Sequence, residues 1–326
     1  MNMKTQIFVL FFLLFFSFTG SDGKEIKVTT WNIEHLGSDG RGLGGIGAGS
    51  LGHRTDDQLR DITVFIRDTL QSDILAIQEV AIHNIEAGRK VNNELDKIRE
   101  DLGEKWEYII GSAAKEESGS QVHNLHNAFL WNTGKVRLIK SFDLEVPRII
   151  IGENAFDRIP FAGYFEALDP GKTDRTDFLL VNVHLKSGQD NDENHLGAMV
   201  IIVENLKHYL KMAEIKESDV TILGDFNDNP YDDRYIDLLY RYAEHRDFTD
   251  LTTVDLGATR MDEGLTSIID HILVNKGMKG EMAEPAAEKY VPSQKVDELA
   301  TWRLTYSDHF PVSFRVKVVK DGDADW

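Results

Sequence analysis

The stretch that most constrains this chain runs from Thr221 to Pro230. A short apolar run, Val220-Thr221-Ile222-Leu223, breaks off at Gly224 and hands over to Asp225-Phe226-Asn227-Asp228. A β-favouring run of this length, closed by turn residues, reads as a strand buried in a sheet. Side chains alternate along an extended backbone, so Asp225 and Asn227 point to one side and Phe226 to the other. A carboxylate and an amide oxygen meeting at a strand end suit a hard divalent cation or an attacking water. Taken alone, an Asx-rich turn explains the same residues equally well. A calcium-binding EF-hand does not fit: Asp225, Asn227 and Asn229 match its opening ligand positions, but Pro230 stands where glycine is required and Ile236 where the bidentate glutamate belongs.

The same pattern recurs along the chain. Glu25 to Asn32 alternates as a half-buried strand and ends on an amide, Asn32; Asp73 to Val80 is a buried strand whose apolar residues give way to Gln78-Glu79. A charged group at such an end is costly unless it is solvated, paired or metal-bound. In Val181-Asn182-Val183-His184-Leu185-Lys186, His184 and Lys186 point the same way at a strand end. A lone histidine at an apolar edge is usually structural, but its place after a strand moves the reading toward catalysis. Asp270 interrupts the strand Thr266 to Val274 and needs a partner, and His309, leading into a last strand within Trp302 to Val319, is the obvious one. A buried carboxylate orienting an imidazole is a recurring catalytic arrangement.

Between these strands, apolar residues at helical spacing predict helices over Arg54–Leu70, Val91–Leu102, His195–Lys211 and Tyr231–Tyr242. Further strands are expected at Trp106–Ile110, Asn127–Trp131, Val136–Phe142, Ile159–Leu168 and Asp177–Asn182. Alternating strands and helices with polar strand ends argue for an α/β sandwich whose site lies on one rim. The Gly-rich segment Gly37 to Gly52 contains Gly42, Gly44 and Gly47 in a formal G-x-G-x-x-G. Those glycines neither follow a strand directly nor open a helix, so a dinucleotide site is rejected.

The 326 residues carry a net charge of −19, which disfavours nucleic-acid binding through a basic surface. A phosphate substrate would need metal ions or local arginines and lysines. Lys4 followed by the apolar run Ile7 to Phe18 and small residues through Gly23 reads as a signal peptide over residues 1–23. The run is too short for a typical membrane span, so a secreted or periplasmic protein without a stable membrane anchor is expected. The catalytic domain is expected over residues 24–319, with an acidic tail over 320–326. Cysteine is absent, so neither a disulfide nor a lipidated cysteine is available.

The ordered series WNIE, QEV, VNVHLKSG, GDFND, DHILV and SDHFPV resembles the endonuclease/exonuclease/phosphatase superfamily, which includes deoxyribonuclease I, AP endonucleases, sphingomyelinases and inositol-polyphosphate phosphatases. The likeness spans Lys27 to Val316. It implies a four-layer α/β/β/α sandwich of the deoxyribonuclease I type, expected as a monomer. By that resemblance Glu79 is the principal Mg²⁺ carboxylate, Asn32 is a ligand or ligand-orienting amide, and Asp308 is another metal-side carboxylate. Asp225 and Asn227 correspond to the pair that positions the attacking water or holds a second ion. His309 and Asp270 correspond to a His–Asp pair, and His184 to a second histidine that favours the deoxyribonuclease I and sphingomyelinase branches. Arg158 resembles a phosphate-contacting arginine. Leu125 departs from the pattern, standing where a glutamate orients the second histidine; Glu116 and Glu117 lie upstream of it. The implied activity is metal-dependent hydrolysis of DNA with little sequence preference, using Mg²⁺, with Mn²⁺ as an alternative and a structural Ca²⁺ left open. The rival is a phosphatase or phospholipid phosphodiesterase built on the same centre.

Overall fold

The structure, a computed structural model, describes residues 24–38, 52–112, 124–147, 149–150, 153–154, 156–169, 176–188, 192–228, 248–261, 267–284, 286–291 and 296–318. The apolar run Ile7–Phe18, the glycines at 42, 44 and 47, Glu116 and Glu117, the expected helix Tyr231–Tyr242 and the acidic tail lie outside them.

The apolar runs do become strands. In chain order these are β1 (Glu25–Leu36), β2 (Ile74–Val80), β3 (Asn84–Glu86), β4 (Arg89–Val91), β5 (Trp106–Ile110), β6 (His126–Asn132), β7 (Val136–Asp143), β8 (Ile149–Ile150), β9 (Glu153–Asn154), β10 (Phe161–Ala167), β11 (Asp177–His184), β12 (Val220–Asp225), β13 (Thr249–Asp250), β14 (Asp270–Val274), β15 (Glu288–Lys289) and β16 (Val312–Lys317). Two six-stranded sheets carry the fold, one ordered β15-β16-β1-β2-β6-β5 and the other β13-β14-β12-β11-β10-β7. At the centre of each, two strands run parallel, β1 beside β2 and β11 beside β12. Their carboxyl ends, where the sequence turns polar, therefore finish on the same rim.

The sheets pack face to face through Val28, Phe129, Phe165, Phe178, Ile272 and Phe314. The outer face of the first sheet is covered by α1 (Asp56–Val64), α2 (Asn93–Leu102) and α5 (Val296–Thr305), through Leu59, Ile62, Leu95, Ile98 and Trp302. The outer face of the second is covered by α3 (Asp192–Met212), through Met199, Ile202 and Leu206. The result is a four-layer α/β/β/α sandwich. A short α4 (Lys276–Glu281) caps the end of β14, with Asn275 accepting from Met278 N–H at 3.0 Å. Among the described residues no helix is long and apolar enough to cross a membrane.

Some boundaries differ from expectation. The stretch Arg54–Leu70 splits into α1 and a π-helical turn over Phe65–Leu70, and α1 starts at an N-cap, Thr55, that forms a reciprocal capping box with Gln58. Residues Trp302 to Thr305 belong to α5 rather than to the last strand, because Trp302 packs its ring into an aromatic group with Phe65, Tyr290 and Tyr306. The strand expected from Thr266 begins only at Asp270.

Gly224 shows how tightly the central strands approach. It sits at φ +146°, and a Cβ there would lie 1.9 Å from the carbonyl oxygen of Val183 on β11. Backbone on both sides leaves nothing flexible to move. Gly224→Ala is expected to destabilise the protein by about 3 kcal/mol or more, read as a lowered midpoint in urea; a midpoint unchanged from wild type would contradict the close approach.

Candidate active site

The polar strand ends meet in a cleft of about 460 Å³, lined by Glu79, His184, Asp225, Asn227, Asp308 and His309, among others. Each is positioned by the local chain. Asp225 ends β12 and Asp270 begins β14, and the two residues face each other across the antiparallel pairing. His184 ends β11 opposite Asp225 in the parallel pairing. His309 is fixed by its backbone: its N–H donates to Ser307 Oγ at 3.0 Å, its carbonyl accepts from Trp31 Nε1 at 3.3 Å, and Ser307 Oγ donates to the carbonyl of Asn32 at 2.6 Å.

Asn32 joins the two sheets at the centre of the site. Its Nδ2 donates to Glu79 Oε1 at 3.0 Å and to Asp225 Oδ2 at 2.9 Å, while its Oδ1 accepts from Glu34 N–H at 3.0 Å. Asn32 thus turns its NH₂ toward the two carboxylates and ties them together. His309 Nδ1 donates to Asp270 Oδ2 at 2.8 Å, leaving Nε2 3.7 Å from Asp225 Oδ2 and 3.9 Å from Asp308 Oδ1. His184 Nε2 lies 3.4 Å from Asp225 Oδ2 and 3.8 Å from Glu79 Oε1. Two imidazoles therefore converge on one carboxylate. Asn227 accompanies Asp225: its N–H donates to Asp225 Oδ1 at 2.9 Å and its Nδ2 to the carbonyl of Leu185 at 3.1 Å. Arg158 lines the same cleft, in a segment pinned by Asn127 Nδ2 donating to the carbonyl of Ile159 at 3.1 Å.

Asn32, Glu79, Arg158, His184, Asp225, Asn227, Asp270, Asp308 and His309 thus share one cleft or its immediate wall. Lys186 does not line it, because β11 ends at His184 and the alternation stops there. Leu125, at the departing position, is buried. Sequence reasoning missed Glu34, His35, Arg260 and Arg303, which also line the cleft. Glu34 and His35 lie two and three residues after Asn32 and could have been suspected from that nearness; Arg303 rides on a helix and Arg260 on a loop, where no periodicity marks them. Arg260 Nε lies 3.4 Å from Asp308 Oδ2, and Arg303 donates to Glu34 Oε1 at 3.0 Å.

The backbone here is strained. Glu34, His35, Glu79 and Asn227 all take positive φ, between 50° and 64°. Left-handed backbone is uncommon for residues other than glycine and costs about 1–3 kcal/mol for each. The strain turns the Glu79 carboxylate to where Asn32 Nδ2 and His35 N–H, the latter at 3.0 Å, both donate to it.

Burial and crowded charge shift the titrating groups. Burial, assisted by Asp270, pushes the Asp225 carboxyl up to about 6 despite the opposing pull of His309 and its hydrogen bonds from Asn32 and Asn227. Burial works against a charged His309, but Asp270, Asp308 and Asp225 outweigh it and push the imidazole up to about 10. Burial likewise favours neutral Asp308, yet His309, Arg260 and Arg303 hold it below the ordinary carboxylate value.

Two donor sets could hold a cation. Asp225, Asp270 and His309 bring ligating atoms within 4.8 Å of one another, but the 2.8 Å bond between Asp270 and His309 commits two of those atoms to each other. Glu79 fits better: it is only partly enclosed, with its side chain 15% exposed, and each oxygen already accepts one hydrogen bond that fixes its direction. Hard divalent cations favour such oxygen donors.

The model of the endonuclease/exonuclease/phosphatase family matches residues 29–309, and the chain belongs to that family. Its members are phosphoric ester hydrolases, generally dependent on a divalent metal. Among solved structures, the chain resembles an endonuclease/exonuclease/phosphatase family protein from Bacteroides thetaiotaomicron with TM-score 0.57 and 17% identity, over 91% of this chain and 99% of that one. It resembles the human Nocturnin catalytic domain with TM-score 0.58 and 16% identity, over 90% and 94%. A mannosyl-6-phosphatase from Bacteroides thetaiotaomicron gives TM-score 0.55 and 17% identity, over 90% and 99%. No curated protein sequence matches the chain.

The His309 shift has a measurable consequence in the metal-free protein. Its folded pKa lies above the ordinary 6.5, so the stabilisation it gives is complete below about 6.5 and is lost as pH rises through about 10. Asp270→Asn removes the strongest attraction. Urea unfolding of the metal-free protein should show stability falling from pH 6.5 toward 10, with a shallower fall in Asp270→Asn; equal slopes would contradict the assignment.

Proposed function

We propose that this protein is a secreted, divalent-metal-dependent phosphodiesterase that cleaves DNA with little sequence preference. The observation that supports this best is the convergence of His184 and His309 on Asp225, opposite Glu79 and within a cleft whose other cationic residues are arginines. Secretion rests on the apolar run Ile7 to Phe18 behind Lys4.

A divalent cation bound at Glu79 would act as a Lewis acid on a phosphate oxygen and neutralise growing negative charge. The rest falls to the chain. Asp225, raised toward neutrality by burial, accepts the proton of the attacking water, and Asn227 beside it fixes the water's direction. His309, held protonated by its carboxylates, faces the phosphorus ester as a positive hydrogen-bond donor, with Asp270 orienting its ring. His184 delivers a proton to the leaving oxygen. Proton transfer by a positioned side chain contributes roughly 10²–10⁴-fold. Arg158 and Arg260 offer guanidinium groups to phosphate oxygens, a contact that carries no sequence information. Asn32 holds Glu79 and Asp225 in register.

A second reading, a phosphatase acting on a small phosphate monoester, is favoured by the net charge of −19, which repels a polyanion everywhere beyond the cleft. The test sets plasmid DNA against a sugar phosphate, sphingomyelin and inositol phosphates, with Mg²⁺ or Mn²⁺ and with or without chelator. Nicking of the plasmid that chelator abolishes is expected. Intact DNA with turnover of a small ester selects the second reading. Asp225→Ala and His309→Ala should each lower turnover at least about a hundredfold while circular dichroism stays native; wild-type rates in either would displace the centre.

A further inference from the structure

Between Asn32 and Leu36, β1 covers four residue steps while its neighbour β2 covers only two, from Gln78 to Val80. The surplus is taken up by left-handed backbone at Glu34 (φ 50°) and His35 (φ 53°). Left-handed backbone is uncommon for residues other than glycine, and of these two histidine takes it more readily than glutamate; two such residues in succession still need restraint from outside. Buried Arg54 supplies it, donating to the carbonyls of Ile33, Glu34 and Tyr306, the last two at 3.2 and 2.6 Å. The Glu34 carboxylate is held by Arg303 at 3.0 Å. Strain maintained by this many contacts points to a function for what the bulge displays.

What it displays to the cleft is His35. Its backbone N–H donates to Glu79 Oε2 at 3.0 Å, and its ring Nε2 lies 3.5 Å from that same oxygen. That is longer than the hydrogen-bond range of about 2.7–3.2 Å, and Nδ1 is buried without a hydrogen-bond partner among the described residues. A half-buried imidazole is thus set beside a carboxylate without bonding to it. The 3.5 Å separation is just above that of two ligands sharing an ion: bonds of about 2.1 Å to oxygen and to imidazole nitrogen place the two atoms about 3.0–3.4 Å apart, from octahedral to tetrahedral angles.

We infer that His35 Nε2 is a nitrogen ligand of the cation held by Glu79, and that it makes the centre select a first-row transition ion such as Mn²⁺ or Zn²⁺ over Mg²⁺. The inference rests on the placement of the cation at Glu79 proposed above. Mg²⁺ prefers an all-oxygen octahedral shell and gains little from imidazole, whereas transition ions bind it well. A centre of this kind also suits the low positive charge of the chain, because a tightly held ion adds local charge that the surface lacks.

The test measures binding directly, without substrate. Metal-free wild-type protein, His35→Asn and Glu79→Gln are titrated with Mn²⁺ by electron paramagnetic resonance, and Mg²⁺ is measured by competition. Asparagine tolerates left-handed backbone, so His35→Asn keeps the bulge while removing the imidazole; thermal melting in chelator confirms folding, and His35→Gln serves as a second variant. Mn²⁺ affinity in His35→Asn should fall at least about tenfold, with loss of nitrogen coupling to the bound Mn²⁺ and Mg²⁺ affinity within about twofold of wild type. Unchanged Mn²⁺ affinity and nitrogen coupling in both His35 variants, with binding lost in Glu79→Gln, would overturn the inference and leave the Glu79 centre standing. Binding of both ions retained in Glu79→Gln would overturn the centre and the inference together.

Discussion

Asn182, on β11 with no accessible surface, directs its whole side chain at the opposite sheet. Its Oδ1 accepts from Gln78 Nε2 at 2.7 Å, and its Nδ2 donates to the carbonyls of Ile77 at 3.0 Å and Ala128 at 2.9 Å. Asn127 returns the contact, its Nδ2 donating to the carbonyl of Asn182 at 3.3 Å. Apolar sheet faces can slide over one another at little cost, since burial is non-directional. Buried amides cannot, because each lost partner leaves an unsatisfied polar group costing about 1–3 kcal/mol. These amides therefore set the offset between the sheets, and the site depends on that offset. Asn32 can reach both Glu79 on its own sheet and Asp225 on the other only if the two rims are held level.

Bringing Glu79, Asp225, Asp270 and Asp308 to one rim is electrostatically unfavourable, and the chain offsets it locally rather than globally. The nearby counter-charges are His309, Arg260 and Arg303, and the raised pKa values of Asp225 and His309 record the compromise: one carboxyl is pushed toward neutrality and one imidazole is held charged. A second buried pair supports the loop behind the site. His271 Nδ1 donates to Asp250 Oδ2 at 2.8 Å, and although burial works against its charge, Asp250 raises its pKa above the ordinary value. His271 follows Asp270 on β14, so the chain faces one carboxylate into the cleft and anchors the next residue on the far side.

The central strands and the site were legible for one reason: where the apolar runs stop or start stands a residue that a buried strand would otherwise exclude. Asn32, Glu79, His184, Asp225 and Asp270 each break an apolar pattern, and parallel strands bring such breaks to one rim. Arg303 leaves no such mark. It lies in Trp302-Arg303-Leu304-Thr305, whose alternation imitates a strand, and only the packing of Trp302 against Phe65 and Tyr306 makes it helical. Local pattern lost there to an aromatic cluster assembled from distant parts of the chain. Arg260 sits in a loop whose position is set by hydrogen bonds around Thr259, whose Oγ1 accepts from Ile269 and Asp270 N–H groups at 2.9 and 3.0 Å. Nothing in the residues near 260 announces those partners.

His35 was hidden by a different cause. A period-two reading of Glu25 to Leu36 sends alternate residues to opposite faces and has no place for a bulge. The bulge exists because Arg54, more than fifteen residues further along and fully buried, captures the carbonyls that the ladder releases. A buried guanidinium with no carboxylate of its own rank would be costly, and here backbone carbonyls and Glu94, at 3.8 Å, share its charge. The strained loop and the buried arginine are therefore one device: removing Arg54 would leave the left-handed pair without support, and relaxing the pair would leave Arg54 without acceptors. Such mutual dependence keeps a locally unfavourable backbone at the edge of the cleft, with its imidazole turned toward Glu79.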